Sequence, residues 1–578
     1  MNTPVTPKFG DQELASVLPA VTWWRSPHLR KVNLFMVILS LFSSPGGFDG
    51  SLVNGLQAMP EWVNFMEKPS STWLGFINAV YWIGALISTP VAAWTCNRYG
   101  RRVGVWVGVI FLISGTTMGT AASSANVFTA SRAVIGCGMG WVSNAAPILL
   151  SEIAYPAHRG VFGALYMVGY YLGAAVAAWV TFATQAYDGP WAWKLPVLLQ
   201  LLLPLIAVPG LAFIPESPRW LISRGRIEKA RRILAELHTG GDTTSPLIAY
   251  EVQNIQEIIR AEYNAAASAG SMSVIKSPGN RHRLFITITL GVFAQFSGNG
   301  VVSYYLTVIL RSVGVTQTRD QLLISACLQV WNVLFAAVGA SLVDQIGRRI
   351  LFITSASIML TAFILISGLS GAFATSGNGP VGIAVIPFLF IYFLGYDIAL
   401  TPMFTAYTCE IWPFGLRSRG LSIVWLSAMG CTVFNTFVNP IALSAIHWKY
   451  YFVFVAVLIG YWFTAYFFYP ETRGYSLEHI AGIFDGKDAK VKQGIEEKTK
   501  PMAGPVATES EDVHGNGVRL EHLYETSRSY LKKRSLFASS RTYELHHLFG
   551  NPILTATQYS VISSPSSKPL TNPRNLCY

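Results

Sequence analysis

Charge is what this chain of 578 residues has least of: Asp, Glu, Lys and Arg together make up 12% of it, about half the share usual in a soluble domain. That scarcity, beside a hydrophobic share of 52%, excludes an ordinary soluble fold. Cysteine is scarce too. Cys96, Cys137, Cys327, Cys409, Cys431 and Cys577 lie far apart with no C-x-x-C spacing, which argues against a disulfide framework or a thiolate metal site. There is no N-x-[ST] sequon, and the first thirty residues hold no cleavable signal pattern, so membrane insertion is expected to begin with the first apolar helix. The "GCGMG" run at 136–140 follows no strand pattern. Close helix packing explains it better than phosphate binding.

What the chain does have is long apolar runs, each enough to cross a bilayer as a helix. Twelve are read, starting near Val32, Trp73, Val103, Val127, Gly160, Trp193, Leu284, Leu322, Ile350, Val381, Gly420 and Lys449. The expected class is an all-α membrane protein of twelve transmembrane helices in two six-helix halves. Its divisions are a cytoplasmic N-terminal segment (1–30), a first bundle (31–214), a cytoplasmic central loop with amphipathic helices (215–283), a second bundle (284–470) and a largely disordered cytoplasmic tail (471–578). The net charge of +12 sits in short loops between apolar runs. It therefore reads as topology, with both termini cytoplasmic, and not as a nucleic-acid surface.

Three motifs occur twice at offsets of about 250 residues: "NRYGRR" (97–102) with "DQIGRR" (344–349), "EIAYPAHRG" (152–160) with "EIWPFGLRSRG" (410–420), and "PESPR" (215–219) with "PETRG" (470–474). Recurrence in one order points to a duplication, as in carriers whose halves rock about a midplane site. Arg98, Arg101, Arg102, Glu152, Arg159, Asp344, Arg348, Arg349, Glu410, Arg417 and Arg419 form the expected gate. Ion pairs between the halves at one end would stabilise one orientation and break in the other. The simpler alternative is that these cations only hold the loops inside.

The same motifs, with "PESPRWL", "QFSGNGVVSYY" and "PETRGYSLE", give the chain a resemblance to the sugar-porter family of the major facilitator superfamily over nearly all of residues 30–485. Within it, "GFDGSLVNGLQ", "AQFSGNG", "FVNPIAL" and "WKYYFVF" are most similar to fungal lactose-permease-like transporters. The resemblance implies alternating access with no covalent chemistry, a sugar as substrate, the bilayer as setting, and a proton as coupling ion in place of any cofactor. It also makes the plasma membrane the expected location.

Polar residues inside apolar helices are costly enough to read as functional. Gln295 and Asn299 stand four apart on one helical face; Tyr304 and Tyr305 follow, with Asn332, Asn435 and Trp425 in later helices. These are the expected sugar contacts, Gln295 foremost by resemblance; for any single Asn, an interhelical hydrogen bond is the alternative. Asp49, in the greasy stretch "GGFDGSLVNG", and Arg132, in "ASRAVIG", match the acid and arginine of the family's proton-coupled members. Burial favours a protonated carboxyl and an adjacent guanidinium an ionised one, so a change in their separation switches proton affinity. The competing reading makes Asp49 a turn residue among Gly46, Gly47 and Gly50.

Three departures stand against the family pattern. Asn97 replaces the usual Asp, Met167 replaces an amide of helix five, and Ala294 replaces a second Gln. With the long tail, expected to carry trafficking or ubiquitination signals, they keep a non-transporting sugar sensor or a proton-independent facilitator as alternatives to a symporter of lactose, cellobiose or a hexose.

Overall fold

A computed structural model describes residues 23–268, 273–413, 416–473, 480 and 483–485. All of them lie in one compact unit spanning residues 1–499. The expectations for residues 1–22 and for most of the tail lie outside the described residues. Within them the secondary structure is helical, and eleven segments are long and apolar enough to cross a membrane. The last, Arg419–Phe468, contains two helices joined by the turn His447–Tyr450, so the passes number twelve.

We label these passes α1 (Pro27–Leu56), α2 (Ser71–Tyr99), α3 (Arg101–Thr120), α4 (Ala125–Ile153), α5 (Arg159–Thr184) and α6 (Trp191–Phe213). The second half comprises α7 (Pro278–Ser312), α8 (Thr318–Ile346), α9 (Arg348–Ser376), α10 (Val385–Ile411), α11 (Arg417–Ile446) and α12 (Tyr451–Phe468). The starts read from sequence fall within a few residues of these. Between α6 and α7 the loop folds as short helices plus Pro246–Ser268. Their apolar faces close a small core of Leu221, Leu234, Ile248 and Val252.

Local chemistry sets the ends. Ser70 and Ser124 cap α2 and α4 by accepting from Trp73 N–H and Val127 N–H, satisfying donors that a helix start leaves orphaned. Gly100 and Gly347 take φ +114° and +109°, which an L side chain rarely adopts. Each lets the chain reverse within one residue between a pair of passes. α1 is broken at Phe42–Ser43 just before Pro45, where proline cannot continue the ladder. α7 is broken at Gly298 (φ +109°) and kinked at Tyr305 (φ −134°, ψ 24°).

Each half has its own core: Val32, Leu39, Val142 and Leu149 are among the residues of the first, Leu290, Tyr305, Met359 and Leu458 among those of the second. Ile87, Trp94, Ile110, Val161, Leu334 and Phe467 are exposed on the outer surface, as lipid contact requires. The halves meet through α2 with α11, α5 with α8 and the inner parts of α1 and α7. Glycine permits the closest approaches. A Cβ on Gly47 would overlap the Tyr170 carbonyl, one on Gly173 the Ser44 carbonyl, and one on Gly169 the Ser40 carbonyl. α1 and α5 are therefore in backbone contact along several turns, the small-residue packing characteristic of apolar bundles.

Gly47→Ala should therefore force α1 from α5 and destabilise the protein by about 1–3 kcal/mol. Gly368→Ala, which meets nothing within 4 Å, should stay within about 0.5 kcal/mol of the parent. Thermal unfolding of the purified protein in detergent distinguishes the two.

Candidate functional site

The duplicated loops fold into two copies of one structure. In the first half Glu216 accepts from the backbone N–H of Arg101 (2.9 Å), Arg102 (3.2 Å) and Ser217 (2.8 Å). In the second, Glu471 accepts from Arg348 (2.9 Å), Arg349 (3.0 Å) and Thr472 (3.0 Å). Each carboxylate thus caps the N-terminus of α3 or α9 from a distant segment, where donors and dipole favour an anion. Burial raises the Glu216 carboxyl above its ordinary value, while the three backbone N–H groups oppose that shift.

Above the caps, Arg101 pairs with Glu152 (3.3 Å) and Arg348 with Glu410 (2.9 Å). Ser217 Oγ donates to Glu152, and Thr472 Oγ1 donates to Glu410 at 2.5 Å. Arg102 and Arg349 each donate to a carbonyl 2.6 Å away, Ala212 and Tyr466. These two ion pairs lie within the halves, whereas the sequence led us to expect pairs between them. The reason is geometric: each arginine starts the helix beside its own half's acid. Arg98 and Arg159 are exposed, Arg417 and Arg419 stand in the first turn of α11, and Asp344 lies in the last turn of α8. Asn97 accepts from Arg101 at 3.4 Å, a neutral hydrogen bond in place of the ion pair that an Asp at this position would allow.

At the opposite end of the bundle the two halves are tied directly. Asn54 Nδ2 donates to Ser325 Oγ (3.2 Å) while Asn54 Oδ1 accepts from Thr307 N–H (3.2 Å). Gln57 donates to the Tyr304 carbonyl (2.9 Å), and Arg311 returns a bond to the Gln57 carbonyl (3.0 Å). Asn78 on α2 donates to Tyr305 Oη (2.9 Å), which donates to the Thr436 carbonyl (2.5 Å). Sequence reasoning missed Asn54, Gln57, Asn78 and Arg311. Their signal was available, since Asn54 and Gln57 share the apolar run of Asp49.

Between the two ends lies a cavity of about 210 Å³ at the interface of the halves. Gln295, Asn299, Tyr304, Asn332 and Trp425 line it. Asn299 donates to Tyr396 Oη (3.2 Å) and accepts from Ser303 (2.8 Å); Asn332 donates to Gln329 (3.4 Å). Tyr305 and Asn435 are not on that wall. Tyr305 turns away at the α7 kink into the tie just described. Asn435 Nδ2 donates to the Gln295 carbonyl (2.8 Å), bracing α11 on α7. Sequence spacing had not singled out Trp82, Tyr170, Tyr171, Gln329, Tyr396 or Thr401, which also line the cavity. Gln329 was within reach of it, three residues from Asn332. Met167 and Ala294 both face the cavity, so two of the three departures alter its surface.

Asp49 and Arg132 come together behind this wall. Arg132 donates from Nη1 to Oδ1 and from Nη2 to Oδ2, both at 3.1 Å, and from Nε to the Ile77 carbonyl at 2.7 Å. Gln200 approaches Oδ1 at 3.4 Å, and the Tyr81 ring centroid lies 5.6 Å from the guanidinium carbon. Asp49 is 1% and Arg132 3% exposed. A bidentate pair of this burial is costly to break by removing one partner. The glycines beside Asp49 seat α1 on α5 and bring Gly50 against Tyr304; they position the pair and do not make Asp49 a turn residue.

The model for "Sugar (and other) transporter" matches residues 35–484. The MFS-type transporter criB of Aspergillus cristatus is 25% identical over 78% of this chain and 93% of its own. Hexose transporter 2 of Kluyveromyces lactis is 26% identical over 79% and 84%. Among solved structures, the partially occluded inward open xylose transporter XylE from E. coli has a TM-score of 0.64 at 22% identity, covering 77% of this chain and all of that one. XylE described as a proton:xylose symporter bound to 6-bromo-6-deoxy-D-glucose has 0.63 at 21%, covering 79% and 99%.

Replacing Asn54 by Ala removes two hydrogen bonds between the halves, about 1 kcal/mol each. In a background freed of native cysteines, a Ser51→Cys thiol should then react roughly ten- to thirty-fold faster with an impermeant reagent added at that end. An unchanged rate would mean that Asn54 does not hold the end closed.

Proposed function

We propose that this chain, which belongs to the sugar (and other) transporter family and is an integral membrane transporter and not an enzyme, carries a sugar together with a proton across the fungal plasma membrane by alternating access. The observation that carries the reading is the buried Asp49–Arg132 pair, held one helix behind a cavity with both amide and aromatic walls. An amide serves as donor and acceptor to sugar hydroxyls, and Trp425 and Trp82 offer flat surfaces to C–H faces. Gln295, Asn299, Tyr304 and Asn332 are the proposed sugar contacts, and a disaccharide such as lactose or cellobiose, or a hexose, is the proposed cargo.

The Arg-rich end is taken as cytoplasmic. The Asn54–Gln57 ties then close the outer end, and the conformation faces inward. Asp49 is paired in this state, after its proton has left. A proton arriving from outside cancels the carboxylate charge and releases Arg132, which keeps the Ile77 carbonyl. Sugar binding draws α7 over the cavity through Tyr304, the outer ties form, and the cavity turns inward. The paired loops at the cytoplasmic end stiffen each half so that it moves as one body. About 100 mV of membrane potential supplies ~2.3 kcal/mol per proton and one pH unit ~1.4 kcal/mol, together enough for several-hundred-fold accumulation.

Uptake of labelled lactose, cellobiose and glucose by transporter-null cells, with and without an uncoupler, tests this reading. Uncoupler-sensitive accumulation is expected for at least one of them. Uptake that ignores the uncoupler would make the protein a facilitator, and no uptake with a surviving sugar-dependent transcriptional response would make it a sensor. Asp49→Asn should abolish accumulation and spare exchange.

A further inference from the structure

Within the membrane-spanning helices described, the mechanism above leaves one buried acid unused. Asp397, in the middle of α10, is 0% exposed, as deeply buried as Asp49, yet the side chains that hydrogen-bond it are neutral. Oδ1 accepts from Tyr171 Oη at 2.6 Å and from Thr401 Oγ1 at 3.0 Å. Oδ2 is buried with no hydrogen-bond partner. Tyr171 belongs to α5, so this bond joins the two halves at mid-height, and Tyr171, Tyr396 and Thr401 separate the carboxyl from the cavity they line.

Beside Asp397 stand Tyr171 of α5, with Tyr170 next to it, and Tyr392 and Tyr396 of its own helix. α8 presents the backbone at Gly339, and α9 presents Ile358 and Met359 beside Gly395. α7 reaches the hydroxyls of Tyr392 and Tyr396 through Ser297, Asn299 and the Ala294 carbonyl. Trp425 of α11 shares the cavity wall. A carboxylate ion without a countercharge in such surroundings is costly, and a bare buried oxygen calls for an explanation.

We propose that Asp397 is a second proton-binding carboxyl of this carrier, protonated on Oδ2 while Oδ1 fastens α10 to α5 through Tyr171. The inference rests on the reading of the chain as a proton-coupled carrier. When the halves part at this contact, cavity water reaches Oδ2. The O–H bond then breaks, its proton passes to that water, and the electron pair stays on the carboxylate. Asp397 is not on the cavity wall. It acts through Tyr171, so the proton it holds is linked to the seating of the two halves.

Infrared difference spectroscopy of the full-length protein in lipid nanodiscs tests this. Subtracting the Asp397→Asn spectrum from the wild-type spectrum should reveal the C=O stretch of one buried carboxylic acid, present near neutral pH and lost as pH is raised. Tyr171→Phe, which keeps the acid and removes its donor, should retain that band at higher wavenumber. A wild-type spectrum with no band that depends on Asp397, or a band unmoved by Tyr171→Phe, would overturn the proposal. If Asp397→Asn does not fold, Asp397→Glu replaces it, with a shifted band expected and an unshifted one contradicting the assignment. Sugar accumulation by the same protein in vesicles reports separately: driven uptake without an Asp397 band sinks only this inference, whereas a band without driven uptake sinks only the coupling.

Discussion

Away from the cavity, the apolar layer between the two ends of this bundle offers no water, and leaving a polar atom there without a protein partner is costly. That constraint orders much of the structure. It brings Arg132 to Asp49 in bidentate geometry, with a third donor spent on the Ile77 carbonyl. It also makes Gln57, Asn78 and Asn54 reach across to the other half. Several of the polar side chains at this depth couple two helices, and others face the cavity. Tyr305 and Asn299 lie close in sequence yet fall on opposite sides of that division, because the α7 kink rotates one away from the cavity and leaves the other on its wall.

The fold was legible because its signals are long and periodic. Twelve apolar runs and three twice-occurring motifs need no knowledge of side-chain contacts. The mirrored carboxylate caps of Glu216 and Glu471 follow from those motifs, and so does the agreement between helix starts read from composition and those observed. The pairing of Asp49 with Arg132 was also legible, since both are rare charges in apolar helices and the family resemblance matches the two positions as an acid and an arginine. The direction of the Arg101 and Arg348 pairs was not. Sequence places cations and acids at one end of the bundle but does not say which half each faces.

The cavity wall was legible only in part. Gln295, Asn299 and Asn332 stand out as amides in apolar helices, whereas Tyr170, Tyr171 and Trp82 look like ordinary aromatic filling until α5 and α2 are placed. Close backbone contact decides that placement. Gly47, Gly169 and Gly173 carry no side chain to suggest a role, and their effect appears only where two helices approach within the space a methyl group would fill. Likewise Asp397 reads as one more acid in a greasy run until Tyr171 is seen to arrive from the other half.

The ties at the end remote from the arginine-rich loops have a consequence for sidedness. In the proposed alternating-access cycle, their combined strength would set how often an unloaded carrier presents its cavity to that side. In that cycle a ligand arriving there would bind with an affinity reduced by the fraction of molecules open to it, while one arriving at the other side would meet the proposed inward-facing site. Two apparent affinities for one sugar, differing between the faces of the membrane, would then arise from a single set of contacts. Their ratio would be written in Asn54, Gln57 and Arg311, none of which needs to touch the cargo.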